Sequence, residues 1–394
     1  MKNAVISVPA ARPLICVVGA RPNYMKMAPL LRAFRADPRL PRAVLVHTGQ
    51  HYDFALNDRL FADLELPAPD VNLEVGSGSH AVQTAEVMRR FEPVMLQYNP
   101  ACVIVVGDVN STMACTLVAA KLHVPVVHVE AGLRSFDRGM PEEINRVVTD
   151  QIADLLYTTE RTAQDNLARE GIARDRVHFV GNLMIDSLQD ALAKAVPPAT
   201  TLTREGAAPA LVTDAAGFGV VTMHRPSNVD EPQSLAELLD ILRQVSTRLP
   251  LVWPIHPRTR ANIDRLGLAD RLVGARIACL PPQGYLEMVG LLSKARLVLT
   301  DSGGVQEETT SLGVPCLTMR PNTERPITVE QGTNTLVPRE AGVVLRLVDD
   351  ILAHGGKRGR APEYWDGHAA ARIADHLAGW LAGRAVASDA EVAA

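Results

Sequence analysis

The sequence predicts an α/β protein built from two doubly wound units, each a parallel sheet covered on both faces. Three observations carry this. Short continuous apolar runs rich in Val, Ile and Leu recur along the chain, separated by stretches of helical period. Such runs mark strands buried on both sheet faces. The chain has 394 residues, too many for one core, and a stretch rich in Ala, Pro and Thr interrupts the alternation near its middle.

In chain order, residues 1–13 (MKNAVISVPAARP) read as a ragged leader without a proper apolar signal region, so export is not expected. Strands at 14–18, 43–47, 101–106, 125–129, 155–158 and 177–180 build a first unit, residues 14–190. Residues 191–217 (ALAKAVPPATTLTREGAAPALVTDAAG) read as the linker region. Strands at 219–223, 251–255, 276–280, 296–300, 315–319 and 335–337 build a second unit, 218–365. Residues 366–383 (DGHAAARIADHLAGWLAG) read as an amphipathic closing helix, and 384–394 as a disordered tail. No internal repeat breaks this pattern.

Composition narrows the function classes. Hydrophobic residues make up 47% and charged residues 21%, with 40 basic against 44 acidic side chains. There is no basic tract, so no nucleic-acid partner is expected. No apolar run reaches the roughly 18–20 residues of a membrane span. The five cysteines, Cys16, Cys102, Cys115, Cys279 and Cys316, form no CxxC pair. They read as small buried thiols in a reducing cytoplasm, not as a disulfide or zinc framework.

In such sheets ligands lie at the carboxyl ends of the strands, and polar residues collect there. The most informative segment is ARLVLTDSGGVQEETTSLGVP, residues 295–315. Two glycines at a strand-to-helix turn let backbone N–H groups approach an anion, and the helix N-terminus adds partial positive charge. A glutamate about a turn later, Glu307 or Glu308, suits sugar hydroxyls. The segment reads as a nucleotide diphosphate site, or else as a tight turn with exposed acids.

Other strand ends offer further candidates. Arg21 and Lys26 follow the first strand and suit a pyrophosphate, or a helix cap. Asp108 closes CVIVVGD, where an aspartate also makes a good N-cap. Glu130 closes VPVVHVE; a carboxylate at the mouth of a buried strand is open to tuning for acid–base work. Glu142 sits in PEEINR, where acids also suit a first helical turn. His224 ends a strand in VVTMHRPSN. The loop MRPNTERP adds Arg320, Glu324 and Arg325, two arginines able to close on phosphates or to form a surface ion pair.

Taken together, GARPNYMKMAPL, TGQHYD, VVGDVNST, HVEAGLRSFDRGMPEEINR, VGNLMID, TMHRPSN, PIHPRT, PPQGYLEM, TDSGGVQEE and MRPNTERP resemble the non-hydrolysing UDP-N-acetylglucosamine 2-epimerase family, from about residue 14 to about residue 375. The resemblance implies a glycosyltransferase-B-like fold of two Rossmann-like domains with the active site between them, and a homodimer. It implies reversible inversion at carbon 2 of UDP-N-acetylglucosamine to UDP-N-acetylmannosamine, a precursor of surface polysaccharides, through elimination of UDP to a bound 2-acetamidoglucal, without metal or other cofactor.

By the same resemblance Asp108, Glu130 and Glu142 form the acid–base set and His224 assists at the UDP end. Arg21, Lys26, Arg146 and Arg325 match basic active-site positions. Tyr285 matches an aromatic that contacts uracil, Ser302, Gly303 and Gly304 the phosphate turn, and Glu308 the ribose-binding glutamate. Gln50 and His51 match part of an allosteric signature found in several bacterial members. Asp53 and the stretch Gly76-Ser77-Gly78-Ser79-His80 depart from it, so strong substrate activation is not expected. Relatives act on UDP-2,3-diacetamido-uronic acids, and hydrolysing cousins release N-acetylmannosamine. A glycosyltransferase of the same fold, or a non-catalytic nucleotide-sugar sensor, would share the nucleotide half.

Overall fold

The computed structural model describes residues 12–49 and 54–392, with the side chains of 54–58 and 385–392 outside the description. The chain divides into two compact units. One comprises the chain up to Phe61, Glu65–Leu183 and the segment from His368 onward; the other comprises Ala62–Leu64 and Met184–Gly367.

The first unit holds seven parallel strands: β1 Leu14–Val18, β2 Ala43–His47, β3 Val71–Asn72, β4 Cys102–Val106, β5 Val126–Ala131, β6 Leu155–Thr158 and β7 Val177–Phe179. Their order is β3-β2-β1-β4-β5-β6-β7. Leu14 lies beside Ala43 on one side and Cys102 on the other, which fixes the central register. Every residue of β4 is buried. Its Val103 and Val105 share one face with Ile15, Val17 and Val126 and pack on Phe91 and Val118 from the flanking helices. Each such side chain contributes about 1.5–3 kcal/mol on burial.

The second unit holds six parallel strands: β8 Gly219–Thr222, β9 Leu251–Pro254, β10 Ile277–Leu280, β11 Leu297–Thr300, β12 Cys316–Thr318 and β13 Asn334–Leu336. Their order is β10-β9-β8-β11-β12-β13. Val221, Trp253 and Leu299 enter one core, while Val220, Val252 and Val298 enter the other. Both faces are therefore covered, as continuous apolar strands require. In each sheet the winding direction reverses once, between β1 and β4 and between β8 and β11. Those are the points where open α/β sheets take ligands, outside the strands' carboxyl ends.

Several expectations need correction. The sequence pattern does not predict β3, because two residues carry no readable period. The stretch 191–217 lies within the second unit instead of linking two units. Proline at the first helical position starts the helix Pro198–Arg204, and its Leu202 is buried against Phe218, Val220 and Leu291. The closing helix runs Ala369–Val392, past residue 383 into the expected tail. It belongs with the first unit, where Asp375 pairs with Arg39 at 2.8 Å and His376 meets Tyr157 at 2.9 Å. Of the expected leader, Arg12 and Pro13 are fixed: Arg12 donates to the carbonyls of Asn99 and Pro100, and the Ala101 N–H donates to the Pro13 carbonyl. Among the described residues no helix is long and apolar enough to cross a membrane.

Candidate functional site

Two polar clusters form, one at each switch point. In the first unit, β1 runs into Gly19-Ala20 and the helix Arg21–Ala36. Asn23, in that helix's first turn, accepts from the N–H groups of Gly19 and Ala20 and donates to the Val106 carbonyl at 2.8 Å. This side chain ties the end of β1 to the end of β4. One turn later Lys26, buried, places Nζ 2.6 Å from Oε1 of Glu130. Gly107 passes beside the pair with φ +67°, and a Cβ there would lie 3.1 Å from the Lys26 Nζ. Arg21 opens the helix and stays half-buried.

Glu130 sits at a register shift where β5 pairs with β6 between Val129 and Ala131. Its φ is +70°, a left-handed conformation that costs a non-glycine residue about 1–2 kcal/mol. Such strain persists only where the surroundings impose it. Here the surroundings are Asp150, His128, Gly132 and Arg134. Asp150 is wholly buried. Its Oδ1 lies 2.6 Å from His128 Nδ1, and its Oδ2 accepts from the Gly132 N–H at 3.0 Å and pairs with Arg134 Nη1 at 2.8 Å. Burial pushes the Asp150 carboxyl up, but His128 and Arg134 outweigh it and hold it below the usual carboxylate range.

Asp108 follows β4. Its Oδ2 accepts from Arg146 Nε at 3.0 Å and Nη2 at 2.6 Å, while Asn145 holds its carbonyl at 2.8 Å. Arg146 also donates to Glu143 at 2.6 Å. Glu143 accepts from the N–H groups of Ser135 and Phe136. Burial raises the Glu143 carboxyl, and these donors bring it below its ordinary range. Glu142 lies in the first turn of the helix Pro141–Ile152, half-buried. It shares that helix with Arg146, and its side chain makes no hydrogen bond or ion pair among the described residues; the structure joins Lys26 to Glu130 and Arg146 to Asp108. Gln50 and His51 lie outside the described residues.

In the second unit, β8 and β11 end side by side. Asp301, wholly buried after β11, accepts from the backbone N–H groups of His224 and Arg225 and from Asn228 Nδ2. Its Oδ1 lies 3.0 Å from His224 Nδ1, while the imidazole is 35% exposed. An ionised carboxylate there keeps the proton on Nδ1 and leaves Nε2 for other work. Burial pushes the Asp301 carboxyl up; His224, Asn228 and the Arg225 N–H together hold it below its ordinary range.

Ser302 precedes the helix Gly303–Leu312, and Gly303 is its first residue. A Cβ on Gly303 would meet Glu324 Oε1 at 2.6 Å, whereas one on Gly304 would only touch Met184. Gly303 therefore lets the loop after β12 come close. Within it Arg320 pairs with Glu324 at 2.9 Å, and Arg325 pairs with Glu307 at 2.9 Å. Burial raises the Glu324 carboxyl, but Arg325 and Arg320 draw it down to about 2. Gln306 accepts from Thr323 and Asn334, which pins the loop to the helix. Glu308 is buried on the same helix. Tyr285 is buried at the start of the helix Tyr285–Lys294, where Asp63 accepts from its N–H at 2.9 Å. Among the described residues no group of three or more His, Cys, Asp or Glu is placed to hold a metal.

Sequence reasoning missed Asp301, Asp150, Asn145 and Asn23 as organisers. Asn23 and Asp301 carry a local signal, as polar residues in the segments that follow apolar strands.

In the first unit two carboxylates at adjacent strand ends are each paired with a cation, and in the second a histidine–aspartate pair sits at the switch point; each arrangement suits proton handling. A sequence profile of the UDP-N-acetylglucosamine 2-epimerase family matches residues 32–378. The chain belongs to that family. It is 39% identical over 377 residues to a UDP-2,3-diacetamido-2,3-dideoxy-D-glucuronate 2-epimerase of Pseudomonas aeruginosa, covering 93% of this chain and 99% of the relative. It is likewise 39% identical over 342 residues to a UDP-N-acetylglucosamine 2-epimerase of Methanocaldococcus jannaschii, covering 86% and 92%. Among solved structures it is similar to the M. jannaschii UDP-GlcNAc 2-epimerase in complex with UDP-GlcNAc and UDP, with TM-score 0.83, 38% identity, and 93% and 99% of the two chains covered. The two parallel sheets are those of the glycosyltransferase-B-like fold of these epimerases.

Proposed function

We propose that the protein inverts carbon 2 of a UDP-linked N-acetylhexosamine, with UDP-N-acetylglucosamine and UDP-N-acetylmannosamine as the interconverted pair. The observation that carries this reading is the placement of two cation-paired carboxylates, Asp108 and Glu130, at the ends of adjacent strands in a chain of this family. Inversion needs a base on one face of the sugar and an acid on the other. The base takes the carbon-2 proton, the carbon-1–oxygen bond breaks with its electrons leaving on UDP, and a carbon-1–carbon-2 double bond forms. Return of a proton to the opposite face, with re-addition of the UDP oxygen at carbon 1, completes the inversion.

Asp108, Glu130 and Glu142 are the proposed acid–base set. The departing diphosphate develops negative charge, and Arg21, Arg146, Arg325 and the N-terminus at Ser302, Gly303 and Gly304 supply positive potential for it. His224, held by Asp301, acts at the UDP end; Glu308 takes the ribose and Tyr285 the uracil. In this reading neither metal nor nicotinamide takes part. The enzyme works in the cytoplasm as a homodimer and supplies surface polysaccharide synthesis.

A second substrate reading has its own support. The P. aeruginosa relative is a 2-epimerase of a diacetamido-glucuronate and matches nearly end to end. The same machinery would then act on a sugar aminated at carbon 3 and oxidised at carbon 6.

Proton NMR in deuterated water tests both. Each UDP-sugar is incubated with the protein, and deuterium entry at carbon 2 with the appearance of the 2-epimer is followed. Epimer from UDP-N-acetylglucosamine supports the first reading. Turnover of the diacetamido-uronate alone supports the second. Free UDP with N-acetylmannosamine would indicate a hydrolysing enzyme, and no exchange with either sugar would sink the epimerase reading.

A further inference from the structure

We infer that Asp150 is a positioning residue of the reaction, holding Glu130 in its left-handed backbone conformation and aiming its carboxylate. The inference rests on the reading of Glu130 as an acid–base group.

The geometry is specific. Glu130 lies midway between two residues that the same carboxylate grips: His128, two positions before it, through Oδ1, and Gly132, two positions after it, through Oδ2. One buried side chain thus brackets the strained residue. Arg134 completes the clamp, pairing with Asp150 Oδ2 and, at the surface side, with Glu170 at 2.6 Å. From the other direction the helix Arg161–Arg169 presses on the bulge: Asn166 donates to the Gly132 carbonyl, and a Cβ on Gly132 would meet the Ala163 carbonyl oxygen at 2.5 Å. With φ +80°, Gly132 is the residue that this approach demands.

The clamp reaches the second acid as well. His128 Nε2 donates to the Gly107 carbonyl at 2.9 Å, and the Gly107 N–H donates to the Val129 carbonyl. Gly107 precedes Asp108. Asp150 therefore holds the backbone N–H two residues after Glu130, the imidazole of the residue two before it and, through that imidazole, the turn that presents Asp108. It holds the groups proposed to move protons without meeting the substrate itself, a role that outer-layer carboxylates also play behind metal ligands.

The experiment compares wild type, D150N, E130Q and D150N/E130Q by deuterium entry at carbon 2 of the UDP-sugar that wild type turns over, with long incubations for slow variants. UDP affinity by calorimetry and far-ultraviolet circular dichroism serve as the folding readouts. D150N is expected to slow exchange by about 10–100-fold while UDP affinity stays within about threefold. In the E130Q background D150N is expected to change the rate by less than about twofold, because residues acting as a unit are not additive. If D150N does not fold, His128→Gln takes its place in the same cycle. Equal fold-losses in both backgrounds, or D150N alone as fast as wild type, overturn the proposal and leave the acid–base reading of Glu130 standing. E130Q as fast as wild type overturns both together.

Discussion

Lys26 and Glu130 meet at 2.6 Å, Nζ to Oε1, with both side chains almost entirely removed from water. The lysine comes from the helix after β1 and the glutamate from the bulge ending β5, so the pair spans the sheet's central strands. A buried pair adds little net stability, but removing one partner leaves a desolvated charge without its counterion, at about 3–5 kcal/mol. Lys26→Met is therefore expected to destabilise the protein by that amount in urea unfolding. Lys26→Met/Glu130→Gln is expected to recover more than half of the loss. A double variant as unstable as the sum of the single variants would show that the two side chains do not depend on each other.

Asp301 holds His224 by two routes, its backbone N–H and its ring Nδ1. Asp301→Asn keeps the volume but offers an N–H₂ where an acceptor stood, and the ring then favours the other tautomer. By analogy with the carboxylate partners of metal-ligating histidines, turnover is expected to drop by about 10–100-fold, with KM for the UDP-sugar changed far less. Steady-state kinetics check this. A loss confined to KM would mean that Asp301 organises binding and not the work of His224.

Gly303 admits Glu324 at a distance that no Cβ tolerates. Gly303→Ala must displace a carboxylate that is buried and paired to Arg320. The overpacking is expected to cost about 1–3 kcal/mol and to weaken UDP binding, by calorimetry, more than tenfold. Gly304→Ala, whose Cβ would make only ordinary contact with Met184, serves as the control and is expected to fold with near wild-type stability.

The sheets are legible because their strands are short, continuous, β-branched apolar runs: Cys102–Val106 is buried at every position, and a run of that length and composition reads as a strand covered on both faces. The two-residue β3 has no period to read, and 191–217 looked like a linker because Pro and Ala mark helix starts as readily as chain breaks. Strand ends told where Asp108, Glu130, His224 and Ser302 would lie. They did not tell what holds them. Asp150 lies 20 positions after Glu130 and reaches it only through the pairing of folded elements. Likewise Glu143, not its neighbour Glu142, takes the Arg146 guanidinium, a choice made by helix rotation and by the Ser135 and Phe136 N–H groups.

Acid stability follows from the buried carboxylates. Glu324, Asp301, Asp150 and Glu143 all lie below their ordinary values in the folded state. A depressed value means that the contribution is complete above the unfolded-chain value near ~4 and vanishes as pH falls through the folded value. For Glu324 that window runs from the ordinary 4.5 down to about 2, worth on the order of 3 kcal/mol. Urea unfolding of wild type is therefore expected to show a midpoint that falls steeply below pH 4. Glu324→Gln is expected to be less stable than wild type at pH 7, with the gap closing as pH approaches 2, because protonation brings wild type to the state that the variant already has. A gap that stays constant from pH 7 to pH 2 would mean that Glu324 acts there through its shape and not through its charge.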